Sequence, residues 1–255
     1  MTDKLKLWDS FGKTDPTYTK ENGYGKNKST AITPMYMVKV ATSQLGPIGV
    51  GWGYSVKEER FDSGKPVVLV PGNINKGTLP VYMMNDGQIV FEKVHTLLLE
   101  MWIENKANTF LQYGHTKYSY LTKTGDYYVD EEYGKKSLTD AMTKCLSLVG
   151  ICSDIYMGEF DDQGYKSAAQ IENDLKKADD RDKEYIAKLE AFDSFIESTL
   201  RVMNDCPTVE AMHSAYGMAV QKIDREGPIL SLDLAVAKMP IDNMYHTIEK
   251  KFKGE

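Results

Sequence analysis

Apolar residues change their period several times along the chain, and each change predicts a change of element. Met1 to Thr30 is polar, with Lys13, Lys20, Lys26 and Lys28 among few apolar positions after Trp8 and Phe11, and reads as a flexible, irregular arm. From Thr33 the spacing is helical: Thr33 can cap, Pro34 suits a first helical position that needs no N–H, and Val38, Ala41 and Leu45 form a stripe ending at Gly46. Trp52 to Phe61, Pro66 to Pro71, Gln88 to Ile103 and Phe110 to Leu121 then favour extended backbone, and His95, Leu97, Leu99 and Met101 alternate toward one face. Asn85-Asp86-Gly87 is a hairpin signal between two of these strands. An antiparallel sheet of about three to five strands follows.

Helical spacing returns between Asp130 and Gly150, where Leu138, Ala141, Met142, Cys145, Leu146 and Val149 share one face and predict a helix covering the sheet. Beyond Phe160 the pattern carries no strand signal. Ala168 to Val202 and Val209 to Ile223 read as two amphipathic helices separated at Cys206-Pro207, and a last helical segment as Asp242 to Phe252. The expected fold is α+β: an antiparallel β-sheet packed by a central helix, with a C-terminal α-helical extension.

Composition narrows the function. The 255 residues contain no apolar run long enough to span a bilayer, and Met1 to Ser10 lacks the apolar stretch of a secretory signal, so a cytoplasmic location with no membrane partner is expected. Cys145, Cys152 and Cys206 form no CxxC pair and read as small buried hydrophobes. Through Phe160 there are 18 Lys+Arg against 18 Asp+Glu, and beyond it 13 against 19, so the whole deficit behind the net charge of −6 lies in the C-terminal part. That asymmetry fits either different partners for the two parts or solvated acidic helices.

Several chemistries lack their residues. There is no GxxxxGK[ST] loop, no GxGxxG after a strand, no HExxH and no GxSxG, and His95, His115, His213 and His246 stand far apart. Gly49-Val50-Gly51-Trp52-Gly53 has no helix after it and reads as a strand edge that another backbone or a ligand can approach. Glu159, Asp161 and Asp162 are hard oxygen donors of the kind that hold Mg²⁺ in a nuclease, or else a solvated loop.

The segment from Lys135 to Gly150 is the most informative. On a helix Lys136, Asp140 and Lys144 fall on one line opposite the apolar stripe, with Lys135, Thr143 and Ser147 beside them. Such a face can take phosphates on cations and hydroxyls while Asp140 orients the lysines or caps a neighbouring backbone group. A solvated face with a weak ion-pair ladder has the same spacing.

Lys136 to Gly150, with its Thr139-Asp140 pair and its Leu-Val-Gly end, followed by Asp154 to Tyr165, resembles the helix and continuation of the Rad fifty-two superfamily of single-strand annealing proteins. Tyr36 to Gly46 followed by Gly49 to Val56 resembles that family's short helix and Gly-Trp strand, and size and composition look most like its bacteriophage members of the Sak, Erf and Red-beta kind. The resemblance covers residues 30 to 165. It implies a β-β-β-α annealing core over 31–165 that binds DNA and oligomerises as a ring or filament; the flexible polar arm over 1–30 and the acidic helical region over 166–255, the latter free to bind partners, are read from composition on either side of it. Those partners would be the host single-stranded-DNA-binding protein or a phage exonuclease, and removal of residues after Phe160 should spare DNA binding.

The implied activity is recombination by ATP-independent annealing of ssDNA through an annealed duplex intermediate, not enzymatic, without cofactor and with Mg²⁺ at most supportive, in a bacterial host cell. Carried over residue by residue, the DNA-binding positions are Tyr36, Lys39, Lys135, Lys136, Thr143 and Lys144. The family's basic position on the short helix is replaced here by Tyr36, with Lys39 one turn on, and of the paired basic positions only Lys144 keeps its charge. The competing readings are a Mg²⁺-dependent nuclease and an oligomeric structural protein without DNA affinity.

Overall fold

The computed structural model describes residues 5, 8, 11, 13–23 and 29–253, so Lys26 and Lys28 of the expected arm lie outside the described residues. The described part of that arm is regular rather than irregular. Asp15 accepts a hydrogen bond from the Thr17 N–H and caps a 3₁₀ turn at Pro16–Tyr18, after which β1 (Thr19–Asn22) and β2 (Ser29–Ile32) pair as a small sheet. β-branched Thr19, Thr30 and Ile32 supply the strand preference that the surrounding lysines obscured. The chain divides into two units, Met1–Gly12 with Ile32–Ser153, and Lys13–Ala31 with Asp154–Glu255.

In the first unit, α1 (Pro34–Leu45) buries Met37 and Ala41 and stops at Gly46, whose φ of 96° suits a residue without a Cβ. Eight strands follow: β3 (Trp52–Pro66), β4 (Val68–Val70), β5 (Val81–Tyr82), β6 (Met84–Asn85), β7 (Gln88–Ile89), β8 (Phe91–Ile103), β9 (Asn105–Leu121) and β10 (Tyr127–Val129). The main sheet is antiparallel in the order β10-β9-β8-β3. Asp86 and Gly87, both at positive φ, make the expected tight turn, but it closes the two-residue β6–β7 ladder rather than joining strands of the main sheet. β4, read as a strand of that sheet, pairs with β5 instead. Glu104 at φ 60° reverses the chain directly after β8, which is why β9 begins at Asn105, five residues ahead of the apolar signal at Phe110.

One face of β8 is the core. His95, Leu97, Leu99, Met101 and Ile103 alternate inward as expected and are buried, and α2 (Tyr133–Leu148) covers β8 and β9 with Ala141, Cys145 and Leu146 buried. The helix approaches so closely that a Cβ on Gly114 of β9 would stand 2.0 Å from the Ser137 carbonyl oxygen and 2.7 Å from the Ala141 nitrogen. His95 fastens the same contact: Nε2 lies 2.9 Å from Glu59 Oε1 and Nδ1 lies 2.9 Å from Ser137 Oγ. A carboxylate only accepts, so Nε2 carries the hydrogen, while the Ser137 hydroxyl lies between Nδ1 and the His95 carbonyl oxygen, 3.3 Å from the latter. Burial pushes the Cys145 thiol up to about 12, in keeping with a small hydrophobe. Cys152 is buried as well, and Cys206 half-buried.

The second unit is helical beyond the short α3 (Ser153–Tyr156): α4 (Gln163–Lys177), α5 (Arg181–Asn204), α6 (Val209–Glu226) and α7 (Leu234–Lys253). Its core is built from Phe192, Met203, Met212, Ile223, Leu230 and Ile241 among others. Asp162, Asp180 and Thr208 cap α4, α5 and α6 by accepting from backbone N–H groups that have no partner inside the helix. The Asp180 cap divides the expected single helix over Ala168 to Val202 into two. Pro240 lies inside α7 rather than before it, because the Val236 carbonyl that loses its donor is on a residue 61% exposed, where water can replace the bond.

Lys177 Nζ donates to Asp15 Oδ2, and Lys13 Nζ lies 3.0 Å from Glu172, so the N-terminal turn belongs with α4. A cut after Phe160 would strip Lys13 and Asp15 of these partners. The unit boundary falls at 153/154, and along it the first unit is charge-balanced while the second carries the whole net charge of −6.

Gly114→Ala is expected to cost about 1–3 kcal/mol by forcing α2 off the sheet. Gly217→Ala in α6, where nothing lies within 4 Å of an added Cβ, should instead add about 0.5–1 kcal/mol. Guanidinium unfolding followed by circular dichroism measures both.

Candidate nucleic-acid interface

The lysines of α2 are each held by a carboxylate. Lys135 Nζ is 2.9 Å from Glu132, Lys136 Nζ is 2.6 Å from Asp130 and Lys144 Nζ is 2.7 Å from Asp140. The expected line through Lys136, Asp140 and Lys144 is therefore broken at its first member, which turns back to the buried Asp130 before the helix. The rest of the line has a definite task. β10 pairs with β9 only at Ser119–Leu121, which leaves the preceding stretch of that β9 edge without a strand. There the His115 N–H donates to Asp140 Oδ2 at 3.0 Å, and Lys144 donates to the Tyr113 carbonyl at 3.3 Å. Asp140 thus does both things its spacing allowed: it orients Lys144 and caps a backbone group. The Lys135–Glu132 and Lys144–Asp140 pairs are exposed and worth little net, so a phosphate can take over those two ammonium groups at small cost.

The Lys136 ammonium beside Asp130 holds that carboxyl below the usual range, and Asp130 in turn raises Lys136. Thr143 is a correction. It is only 8% exposed, and its hydroxyl faces the Thr139 and Asp140 carbonyls at 3.0 and 3.1 Å, so a strand cannot use it. A hydroxyl in mid-helix satisfies its own backbone more readily than a distant ligand. Ser147 does the same with the Lys144 carbonyl. Tyr36, half-buried, and Lys39, exposed, lie on α1, which packs on α2, so all six sequence-named residues fall on two adjacent helices.

The sheet face away from α2 holds groups that the sequence reading missed. Arg60 is forked between Glu58 at 2.6 Å and Asp62 at 2.9 Å, with its guanidinium 5.5 Å from the Tyr113 ring. Tyr113 stacks on His115, and Thr96 donates to Asp62 at 2.6 Å while its oxygen lies 3.1 Å from His115 Nδ1. Lys117 lies over Tyr120 and Lys106 over Trp102, at 5.3 and 5.6 Å from the ring centres. The signal was the other half of the alternation: Thr96, Leu98, Glu100 and Trp102 interleave with the core positions of β8, and His115, Tyr113, Leu111 and Thr109 stand opposite them on β9.

Among Glu159, Asp161 and Asp162, the last is engaged twice over, as the cap of α4 and in a two-bond pair with Arg225, both at 2.6 Å. Among the described residues no three His, Cys, Asp or Glu side chains converge as a metal site. No helix of the described residues is long and apolar enough to cross a membrane. Trp52 is fully buried, a core residue rather than a contact.

Because Asp130 is depressed in the folded state, its stabilising pair is present above the ordinary aspartate range and is lost as pH falls through the folded value. In Lys136→Met the Asp130 carboxyl is expected to titrate at higher pH than in the unmodified protein, as read by carboxyl NMR shifts; an unchanged midpoint would show that the pair does not form in solution. Compared with family models and with curated proteins the chain matches none, so its functional reading rests on the residues themselves.

Proposed function

We propose that this chain is an ATP-independent ssDNA-binding protein that anneals complementary strands in homologous recombination and works as a homo-oligomer. The observation that carries the reading is the Lys144–Asp140 pair, set by α2 along the open edge of β9, with Lys135, Lys136 and Lys39 on the same two helices. The chain order supports it too: a short helix, a long antiparallel β3-β8-β9 meander and a helix across it is the arrangement that the resemblance implies. Annealing needs a strand held by its phosphates with bases able to pair, and a few exposed lysines repeated by each subunit meet that need. Base pairing supplies the driving force, about 1.4 kcal/mol per stacked step, so no nucleotide hydrolysis or resident cofactor enters the scheme.

Assembly is supported by β3, a 15-residue strand at the end of the sheet with Tyr54, Val56 and Phe61 37%, 48% and 48% exposed. An end strand of that length and character invites a second chain. The acidic second unit is suited to protein partners, such as a single-stranded-DNA-binding protein or an exonuclease, rather than to DNA. The nuclease reading has lost Asp162 to Arg225 and draws no support from the remaining acids.

Wild-type protein is expected to accelerate the pairing of two dye-labelled complementary oligonucleotides at low salt without ATP. Lys39→Ala and Lys144→Ala should slow pairing, each lowering the salt slope of ssDNA binding by about one; a folded protein that neither shifts ssDNA in a gel nor speeds pairing overturns the reading. Val56→Lys should move the protein to smaller species in light scattering.

A further inference from the structure

The glycine-rich segment leading into β3, which the annealing reading leaves without a role, borders an open surface cavity of about 530 Å³ lined by Ile48, Gly49, Gly53, Tyr54, Trp102 and Lys106. Each glycine has a geometric reason to be there. Gly49 sits at φ 86° with its N–H donating to the Trp52 carbonyl at 2.6 Å. A Cβ on Gly51 would stand 1.6 Å from the Leu45 carbonyl oxygen, and the Gly51 carbonyl accepts the Glu104 N–H at 2.8 Å, joining the loop to the β8–β9 turn. A Cβ on Gly53 would stand 2.7 Å from Cζ2 of Trp102, so the bare backbone of β3 is what lets the indole lie across it.

The lining has the chemistry of a planar aromatic anion. Trp102 is half-buried, held on one side by Gly53 and open toward the cavity, and the Lys106 ammonium lies 5.6 Å from its ring centre. Lys106 is exposed, and among the described residues it makes no ion pair, unlike the lysines of α2. Glu100, the next residue of β8 on the same face, is already engaged by Lys57 at 3.0 Å and Ser55 at 3.3 Å, so its charge is offset. The cation over the indole marks a ring face that can stack, and its flexible stem lets a base take that face while the ammonium moves to the adjoining phosphate. The side-chain-free backbone at Gly49 and Gly53 leaves room for the sugar-phosphate chain to pass close.

We propose that this cavity is a nucleotide subsite for single-stranded DNA, with Trp102 stacking one base and Lys106 holding the adjoining phosphate. The proposal rests on the ssDNA-binding reading and adds to it a base contact that the lysines of α2 do not provide. One stacked base per subunit fixes the strand's register on the protein and leaves the neighbouring bases free to pair.

The test compares wild type, Trp102→Leu and Lys106→Ala on two probes of equal length, oligothymidylate and an abasic phosphodiester chain, with tryptophan emission as a second readout. Oligothymidylate should quench the emission of wild type, an effect lost in Trp102→Leu. That variant should bind oligothymidylate about tenfold more weakly and the abasic chain equally well. Lys106→Ala, an exposed position that leaves the fold intact, should weaken both probes and lower the salt slope by about one. If wild type binds both probes and the two variants bind as it does, or if Trp102→Leu weakens both probes alike, the subsite is overturned while ssDNA binding stands. If wild type binds neither probe, the subsite and the ssDNA reading fall together.

Discussion

The first unit depends on one close approach, that of the α2 backbone to β9 at Gly114. Any side chain there would separate helix from sheet, because even one methylene would overlap the Ser137 carbonyl. Ala141 continues the seam, so the helix lies backbone-near on the strand, and polar contacts can then span it: His95 to Ser137 in the core, and the His115 N–H to Asp140 at the rim. These bonds need the short distance and also fix the rotation of the helix about its axis. That rotation decides which residues of α2 meet solvent, and hence that Lys144 lies along the open edge of β9 while Thr143 turns inward.

Ion pairing of every α2 lysine looks at first like evidence against a role in binding. Magnitudes argue otherwise. The Lys144 and Asp140 side chains are 41% and 36% exposed, a regime in which a pair contributes about 0–1 kcal/mol. A phosphodiester offers the same charge together with counterion release, so exchange of partners is favourable at low salt and weak at high salt. Asp140 is then a placeholder that keeps Lys144 extended along the β9 edge. Lys136 differs, because its partner Asp130 is buried and also accepts from the Glu132 N–H, which makes that pair part of the α2 entry rather than an exchangeable contact.

Periodicity made much of this legible. The inward alternation of β8, the Thr33-Pro34 start and Gly46 stop of α1, and the apolar stripe of α2 are local patterns whose cause is local, and they stand where the spacing put them, although the Thr33 side chain makes no capping bond. What escaped was decided by distant neighbours. Thr143 looks polar in the sequence, but its hydroxyl is satisfied within its own helix turn. The Pro66 to Pro71 run has strand propensity, yet whether it joins the main sheet depends on β5, a two-residue partner with almost no signal of its own. The arm looked irregular because its partners, Glu172 and Lys177, lie more than a hundred residues away. The last helix starts at Leu234 rather than at the expected Asp242 and runs through Pro240, because a proline's cost depends on whether the orphaned carbonyl can reach water, which sequence does not state.

On the annealing function proposed above, the two faces of the sheet would divide the labour. On the α2 side and along the β9 edge, cations sit where a phosphate chain can run without its bases being buried. On the other face, cations lie over rings, Lys106 on Trp102, Arg60 beside Tyr113 and Lys117 on Tyr120, and most of these are balanced by nearby carboxylates. Strong base stacking at every one of those rings would hold a strand too firmly to search for its complement, and the acids Glu58, Asp62 and Glu92 weaken the general attraction of that face for phosphate. Lys106 alone among these three cations lacks such a counterweight, and it stands beside the ring over which the glycine-rich loop opens a cavity. On the proposed function, a neutral unit would hold a strand lightly along its length and firmly at one nucleotide, the balance between grip and search that pairing of two long strands demands.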